Sequence, residues 1–497
     1  MNFFNKRNIN SRFSVCYNLL PHYSAAGQDS AAIMECVADA LADGRIESFF
    51  LSDRPANQQN ISTLQLAEKI QALGGEPIIS LALTYDDRHT VAEKISQYIR
   101  AGVHRFLFVS GEHPKRSDDL QPEPLYDLDC IQLFMQLREP DPAGPHAKLN
   151  VVKGCAVSPF KKLESEQVWQ YEKLKRKVEV GADFVITQVG YDIRKFDELV
   201  RFCRLHNISI PLVANIFITD LQTADLFRQG HVPGVTIPDQ LLHTLSREAS
   251  DPQQTSKMYT RSARTLAALR GLGYSGILIG TGSPDFGAVK QVLDEAEGMR
   301  SDWQNFLDDL DYSDSGFYYF QKDSHSGLNT NKPSPVSRKH FPSLLYNFSY
   351  FVDWMVYLPK GPFFKITGRF CRFSSDKKFL YKFVWLQELL SKGLLYGCTM
   401  CGDCVLYACG FLCYRSGCPK KMMNGPCGGS INGFCEVYPD KKKCYWVKVY
   451  RQLKGVSQHV TYTAPPIPAR DNNLNKTSSW INFFMGRDHR RLHFEND

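Results

Sequence analysis

The 497-residue sequence has no stretch near the roughly 18 uninterrupted apolar residues that a membrane-spanning helix needs. Its longest aromatic run, around Tyr346 to Leu358, is broken by Asp353. The first residues, MNFFNKRNINSRFSV, carry charge but no apolar core, so no secretory signal is expected and the chain is placed in a reducing cytoplasm. There thiols persist as ligands or nucleophiles rather than as disulfides. No G-x-G-x-x-G follows the first strand pattern, which argues against an open dinucleotide-binding sheet. No histidine lies between His340 and His459, a gap that limits any metal site there to sulfur ligands.

What is present is 43% hydrophobic, enough for two or three domains, and unevenly charged. From Asn331 onward 25 Lys+Arg stand against 10 Asp+Glu, a net +15, which leaves residues 1–330 at −8. The basic part can steer an acidic electron carrier such as a ferredoxin or flavodoxin, hold nucleic acid, or be a solvated face. Only charge speaks for nucleic acid, so none is expected.

Over residues 1–300 short β-branched or aromatic runs alternate with amphipathic stretches of helical period. Eight strands are counted, at 13–18, 46–51, 76–83, 103–109, 149–157, 183–188, 210–217 and 276–280. Eight such units predict an α/β fold, a (β/α)8 (TIM) barrel, with chemistry at the C-terminal ends of its strands. Residues 301–340 read as a linker with some local structure, 341–395 as an aromatic-rich helical connector packed on the barrel, 396–470 as a cysteine-rich metal-binding domain, and 471–497 as a frayed polar tail. Core packing is the expected role of the aromatics in 341–395, with a membrane-surface or nucleic-acid role as the alternative.

Nine of the fifteen cysteines fall between Cys398 and Cys444. C-T-M-C-G-D-C places Cys398, Cys401 and Cys404 two residues apart, so a tight loop can turn successive thiolates toward one centre. Cys413, Cys418, Cys427, Cys435 and Cys444 supply further ligands, and Cys409 completes the nine. Iron–sulfur is the expected metal, of the 4Fe-4S kind; all-cysteine zinc sites and a metal-free thiol cluster are the alternatives. Eight thiolates suffice for two four-iron clusters, or for one cluster and one zinc.

LKRKVEVGADFVITQVGYD (174–192) resembles the corresponding segment of methylenetetrahydrofolate reductases at Lys177, Gly181, Thr187, Gln188 and Asp192. The cysteine run from about Glu388 resembles the cysteine-rich C-terminal domain that accompanies such reductases, with eight of the nine cysteines matching and Cys409 extra. The resemblance implies a flavin, FAD or FMN, at the barrel mouth, reducing 5,10-methylenetetrahydrofolate to 5-methyltetrahydrofolate. It further implies an iron–sulfur domain fed by ferredoxin or, alternatively, NADH docking directly. It assigns Thr84, Gly111, Glu112, Tyr126 and Lys177 to the flavin and Gln188 to the folate.

Three positions depart from the family. Its Phe-Glu-Phe-Phe-Pro-Pro motif reads Tyr17-Asn18-Leu19-Leu20-Pro21-His22 here, so Asn18 stands where the family's acid stands. An amide gives up no proton at neutral pH, which turns attention to His22 and His113, or to a catalytically silent relative acting as an electron-transfer or scaffold subunit. Ser110-Gly111-Glu112 replaces Arg-Gly-Asp, and Gln170 stands where an aspartate is expected.

Overall fold

The computed structural model describes residues 13–19, 30–53, 62–113, 123–138, 149–232, 234–282, 284–313, 315–335, 341–457, 460–462 and 464–490. His22 lies outside them.

Eight parallel strands close into a barrel in chain order: β1 (Ser14–Asn18), β2 (Ile46–Ser52), β3 (Glu76–Ala82), β4 (Arg105–Val109), β5 (Val152–Val157), β6 (Phe184–Thr187), β7 (Leu212–Phe217) and β8 (Gly276–Gly280), with β8 pairing back onto β1. Every observed strand lies within three residues of its expected limits. Alternation decides which side chains fill the interior. Cys16, Ile78, Leu107, Phe184, Ile186, Val213 and Leu278 form the inner cluster, whereas Tyr17, Phe49, Ile79 and Phe106 point out against the helices. Gly154 is required on β5, because a Cβ there would stand 2.2 Å from the Phe184 ring.

The shell comprises α1 (Ser30–Asp43), α2 (Thr63–Ala72), α3 (Arg88–Arg100), α4 (Cys130–Arg138), α5 (Glu164–Glu179), α6 (Ile193–Leu205), α7 (Leu221–Arg228), α8 (Asp239–Glu248), α9 (Gln254–Leu272) and α10 (Phe286–Gly298). Their starts are written in the sequence. Ser62 and Gln65 form a capping box on α2, and Asp87, Asp192, Asp220 and Asp285 accept main-chain N–H groups at the starts of α3, α6, α7 and α10. The segment read as a linker packs onto this shell. Its hairpin, β9 (Phe320–Lys322) with β10 (Asn329–Pro333), buries Phe320 and Leu328, and Asn329 binds Arg194 and Asp197.

Beyond it come α11 (Leu344–Val356), α12 (Phe364–Ser375), α13 (Lys378–Tyr396), the single turn α14 (Tyr414–Gly417), the ribbon β11 (Phe434–Cys435) and β12 (Tyr438–Lys443), α15 (Tyr445–Val456) and α16 (Ser479–Phe484). Two expectations are corrected here. Residues 471–490 are not a frayed tail: Ile481, Phe483 and Phe484 are buried against α12 and α13 with Cys371 and Val384. The aromatics of α11 to α13 are not mainly core. Their inner faces pack on α16 and the cysteine-rich segment, while most of their large apolar side chains face outward.

The cysteine-rich segment docks along α5. That helix is strongly polar, ESEQVWQYEKLKRKVE, yet buried over nearly its whole length. Its charges are spent on the neighbouring segment. Glu166 accepts the Gly433 N–H (2.9 Å), Glu172 the Tyr462 N–H (3.1 Å), and Lys173 donates to the Pro426 carbonyl (2.9 Å). Trp169 meets Trp446 edge to face and donates to its carbonyl (2.8 Å), and Arg176 lies over the Tyr462 ring. A buried charge is tolerated where its hydrogen bonds are satisfied, and these are.

Candidate active site at the barrel mouth and its thiol sets

The mouth follows from strand alternation. Asn18 shares the inward face of Cys16, and Gln188 that of Ile186, so both stand at the top of the interior. The Asn18 Oδ1 is buried and has no hydrogen-bond partner among the described residues. A buried acceptor left unpaired costs about 1–3 kcal/mol, which marks a position that a ligand's donor can satisfy. The Gln188 side chain turns back to accept its neighbour Val189's N–H (3.0 Å).

Thr84 and Gly111 follow the inward-facing ends of β3 and β4. Thr84 is fully buried and donates to the Ser110 carbonyl (2.8 Å). Gly111 has φ +75°, and a Cβ on it would stand 2.1 Å from Thr84 Oγ1, so only glycine fits. Tyr126 lies above the same loop, its hydroxyl 2.6 Å from His113 Nδ1 and its ring stacked on the imidazole. Burial, then the nearby Lys420 charge, holds His113 below its ordinary value. Glu112 is exposed beside this group. Lys177 stands apart: it is buried between α5 and β5 with its ammonium on the Ala156 carbonyl. The other matching residues serve architecture. Thr187 accepts the Asn215 N–H, Gly181 takes φ +96°, and Asp192 caps α6 and accepts the Tyr318 hydroxyl.

The cysteine-rich segment reaches this mouth at two points. Lys420, almost fully buried, donates to the Gly111 carbonyl (2.9 Å) and pairs with Glu436, which in turn accepts from the Cys427 thiol (3.7 Å). On the far side, a Cβ on Gly234 would stand 3.3 Å from Gln188 Nε2 and 3.5 Å from the Gly428 carbonyl, so the loop bearing Cys427 adjoins Gln188. Between the segment and the barrel a cleft of about 390 Å3 opens beside Tyr126, lined by Arg88, Arg415, Lys420, Lys421 and Arg470 and by the carboxylates of Asp87, Asp127 and Asp129, with Arg88 paired to Asp127. Those four cations from the cysteine-rich side escaped the sequence reading, because nothing in their spacing ties them to a barrel loop some 300 residues earlier.

Among the described residues, no three Cys, His, Asp or Glu side chains already stand close enough to hold a metal ion. The thiols nonetheless act on one another in two sets of four. Burial, then Cys404, Cys413 and Cys398, pushes the Cys401 thiol up to about 12, and burial with Cys427 and Cys435 does the same to Cys418. Cys444, again about 12, feels Cys427 and Cys418. The first set is therefore Cys398, Cys401, Cys404 and Cys413, the second Cys418, Cys427, Cys435 and Cys444. Cys409 also lies within the field of Cys413, but it is fully buried in the core around Trp446 and Tyr414.

Each set has buried cations. Lys392 donates to Glu388 (2.9 Å) and Ser479 (2.7 Å) and reaches Cys404 Sγ (3.7 Å). Burial opposes its charge, but Cys404, Glu388 and Tyr357 outweigh burial and hold its pKa well above the ordinary value. Lys161 and Lys173 sit beside the second set, bonded to the Ser430 and Pro426 carbonyls and within the field of Cys427. Two all-sulfur sets of four, each backed by a buried cation, form a donor set suited to iron–sulfur clusters or zinc.

Comparison with known proteins finds matches to both parts of the chain. Residues 51–269 match the family model described as methylenetetrahydrofolate reductase, and residues 382–473 the one described as methylene-tetrahydrofolate reductase C terminal. Two proteins of Schizosaccharomyces pombe are similar. One, "Methylenetetrahydrofolate reductase 2", is 24% identical over 183 residues, 35% of this chain and 28% of that protein. The other, "Methylenetetrahydrofolate reductase 1", is 40% identical over 73 residues, 14% of this chain and 12% of that protein. The chain thus spans under a third of the length of either relative. A solved structure of an uncharacterized protein from Clostridium thermocellum that binds two copies of 5-methyl-5,6,7,8-tetrahydrofolic acid covers 58% of this chain and 95% of its own, at TM-score 0.42 and 13% identity. The chain is thus similar to methylenetetrahydrofolate reductases over most of its barrel and to their C-terminal model over its cysteine-rich domain.

Proposed function

We propose that the protein interconverts 5,10-methylenetetrahydrofolate and 5-methyltetrahydrofolate at the barrel mouth, with electrons entering through the cysteine-rich domain. The observation that carries this reading is the double contact between that domain and the mouth, Lys420 on Gly111 and the Cys427 loop beside Gln188. Domain boundaries at about 300, 340, 395 and 470 remain part of it.

A bound flavin, FAD or FMN, supplies hydride transfer to and from the folate one-carbon unit. Gly111 and Tyr126 would hold its ring, with the buried Thr84 supporting their loop and Glu112 at the rim. In the cleft, Arg415 and Lys421 suit its phosphate, while Arg88 is held by Asp127. Gln188 orients the folate through its amide, and Asn18 offers an acceptor but no proton. The proton that opens the folate's five-membered ring then falls to His113, paired with Tyr126, or to His22. Lys177 secures α5 on β5 and contributes through the scaffold.

The two sets of four thiolates suit iron–sulfur clusters, which pass electrons singly, with zinc as the alternative occupant of one set. The basic C-terminal part favours an acidic donor such as ferredoxin over a nicotinamide, NADH, docking at the mouth. Asn18 favours a second reading, a catalytically silent or repurposed relative acting as an electron-transfer or scaffold subunit. Anaerobic purification with flavin, iron and zinc quantified separates the two. Flavin bands that bleach on adding 5-methyltetrahydrofolate support the reductase; iron without flavin supports the second reading.

A further inference from the structure

We infer that the outward face of α11, α12 and α13 is a docking surface for an anionic lipid bilayer, on which the protein lies without spanning it. The pattern is periodic. On α13 the apolar residues Phe379, Phe383, Leu386, Leu390 and Leu394 follow one another at helical spacing along the solvent side, opposite the buried Val384 and Glu388. On α12 Ile366, Phe370 and Phe373 do the same, opposite Gly368, Cys371 and Ser374. Leu344, Phe348 and Phe351 repeat it on α11, with Phe341 just before. These side chains are prongs rather than partly covered flanks: Phe341 is 90% exposed, Leu344 87%, Phe379 82% and Leu394 88%. Single exposed apolar residues need no explanation, but an exposed stripe on each of three successive, contacting helices does.

The charge between the stripes selects the occupant. Lys360, Lys365, Arg369, Arg372, Lys377, Lys378 and Lys382 are exposed on and between these helices, against Asp376 alone. The other two acids of these helices are spent, Asp353 on Arg490 and Glu388 on Lys392. A second copy would bring two such cationic faces together, which like charge opposes. A protein partner is a poorer fit, since interface cores are depleted in lysine. Long cations flanking Phe and Leu prongs fit the boundary of a bilayer, where the prongs enter the acyl region and the cations reach lipid phosphates. Lys377, 4.1 Å over the Phe373 ring, already lies along the apolar surface in this way. No helix among the described residues is long and apolar enough to cross a membrane, so the face lies along one. An apolar cleft that includes Phe348 and Leu395 of this face extends inward to Cys404, so docking brings the first thiol set toward the lipid.

The test is co-sedimentation of the full chain with vesicles of equal phosphatidylglycerol and phosphatidylcholine, and with pure phosphatidylcholine, at low and high salt. The protein is expected to sediment with the anionic vesicles and to be released by salt. Lys377→Gln/Lys378→Gln/Lys382→Gln should weaken binding about a hundred-fold, at roughly five-fold per charge. Phe379→Ser/Leu394→Ser should weaken it at least about ten-fold while leaving thermal unfolding unchanged, because both side chains are solvent-facing. Wild-type protein that stays in the supernatant, or that binds both vesicle types equally, overturns the inference. So does a face that proves to be covered instead by a second copy or by an acidic protein, with the same variants dissociating that complex.

Discussion

Lys420, from the cysteine-rich domain, is buried with its ammonium on the carbonyl of Gly111, the glycine that turns the chain at the mouth of the barrel. The same ammonium pairs with Glu436, the acceptor of the Cys427 thiol. One short chain of polar contacts thus joins the second thiol set to the loop nearest the proposed flavin.

Lys420→Met removes a cation that depresses His113. The sign follows directly: a nearby positive charge disfavours the imidazolium, so its loss lets the His113 pKa rise. Imidazole titration followed by NMR should move to higher pH in the variant. An unmoved titration would separate Lys420 from the mouth.

Gly111→Ala forces a Cβ to within 2.1 Å of Thr84 Oγ1 at a φ that side chains avoid. Destabilisation of about 1–3 kcal/mol is expected in denaturant unfolding, together with loss of flavin binding. Thr84→Ala is expected to relieve part of the cost in the double variant.

The cysteine assignments make opposite predictions. Cys401→Ser should lower the metal content of the first set and leave the second loaded, Cys427→Ser should do the reverse, and Cys409→Ser should leave both unchanged. Elemental analysis of the three variants reads this out. Equal metal in the Cys401→Ser and Cys409→Ser proteins would refute the partition into sets.

Asn18→Glu restores an acid on the inward face of β1. Turnover of 5,10-methylenetetrahydrofolate should rise by about 10² or more, the contribution of a positioned general acid. No rise would leave His113 or His22 as the working acid.

The barrel was legible because each strand carries its own signal. LNVVKGCAV and GILIG are β-branched runs closed by turns, and the caps Asp87, Asp192 and Asp285 sit where helices begin. The cysteine spacing likewise marked out the segment that matches the methylene-tetrahydrofolate reductase C-terminal model. The interface between the two parts was hidden, since α5 reads as a charged solvent-facing helix and only the arrival of Trp446, Tyr462 and Pro426 turns Trp169, Arg176 and Lys173 into buried groups. The cations of the mouth cleft were invisible for the same reason. Phe379 and Leu394 misled in the other direction, because helical spacing of apolar residues does not say which face a partner covers.

Glu388 ties α13 to the start of α16, accepting from the Ser478 and Ser479 hydroxyls and from Lys392. Burial raises its pKa, but Lys392 and the two serines outweigh burial and hold it below its ordinary 4.5. Its stabilising effect is therefore complete above about pH 4.5 and is lost as pH falls through the lowered folded value. Glu388→Gln should flatten the acid limb of stability against pH, measured by thermal unfolding from pH 3 to pH 7.

The most direct test of the account is to add 5-methyltetrahydrofolate to anaerobically purified, oxidised protein and follow the flavin absorbance together with the electron paramagnetic resonance of the metal centres. Bleached flavin bands followed by a reduced-cluster signal, lost in Cys427→Ser, are the predicted result. Iron-loaded protein whose flavin and clusters ignore the folate would contradict it.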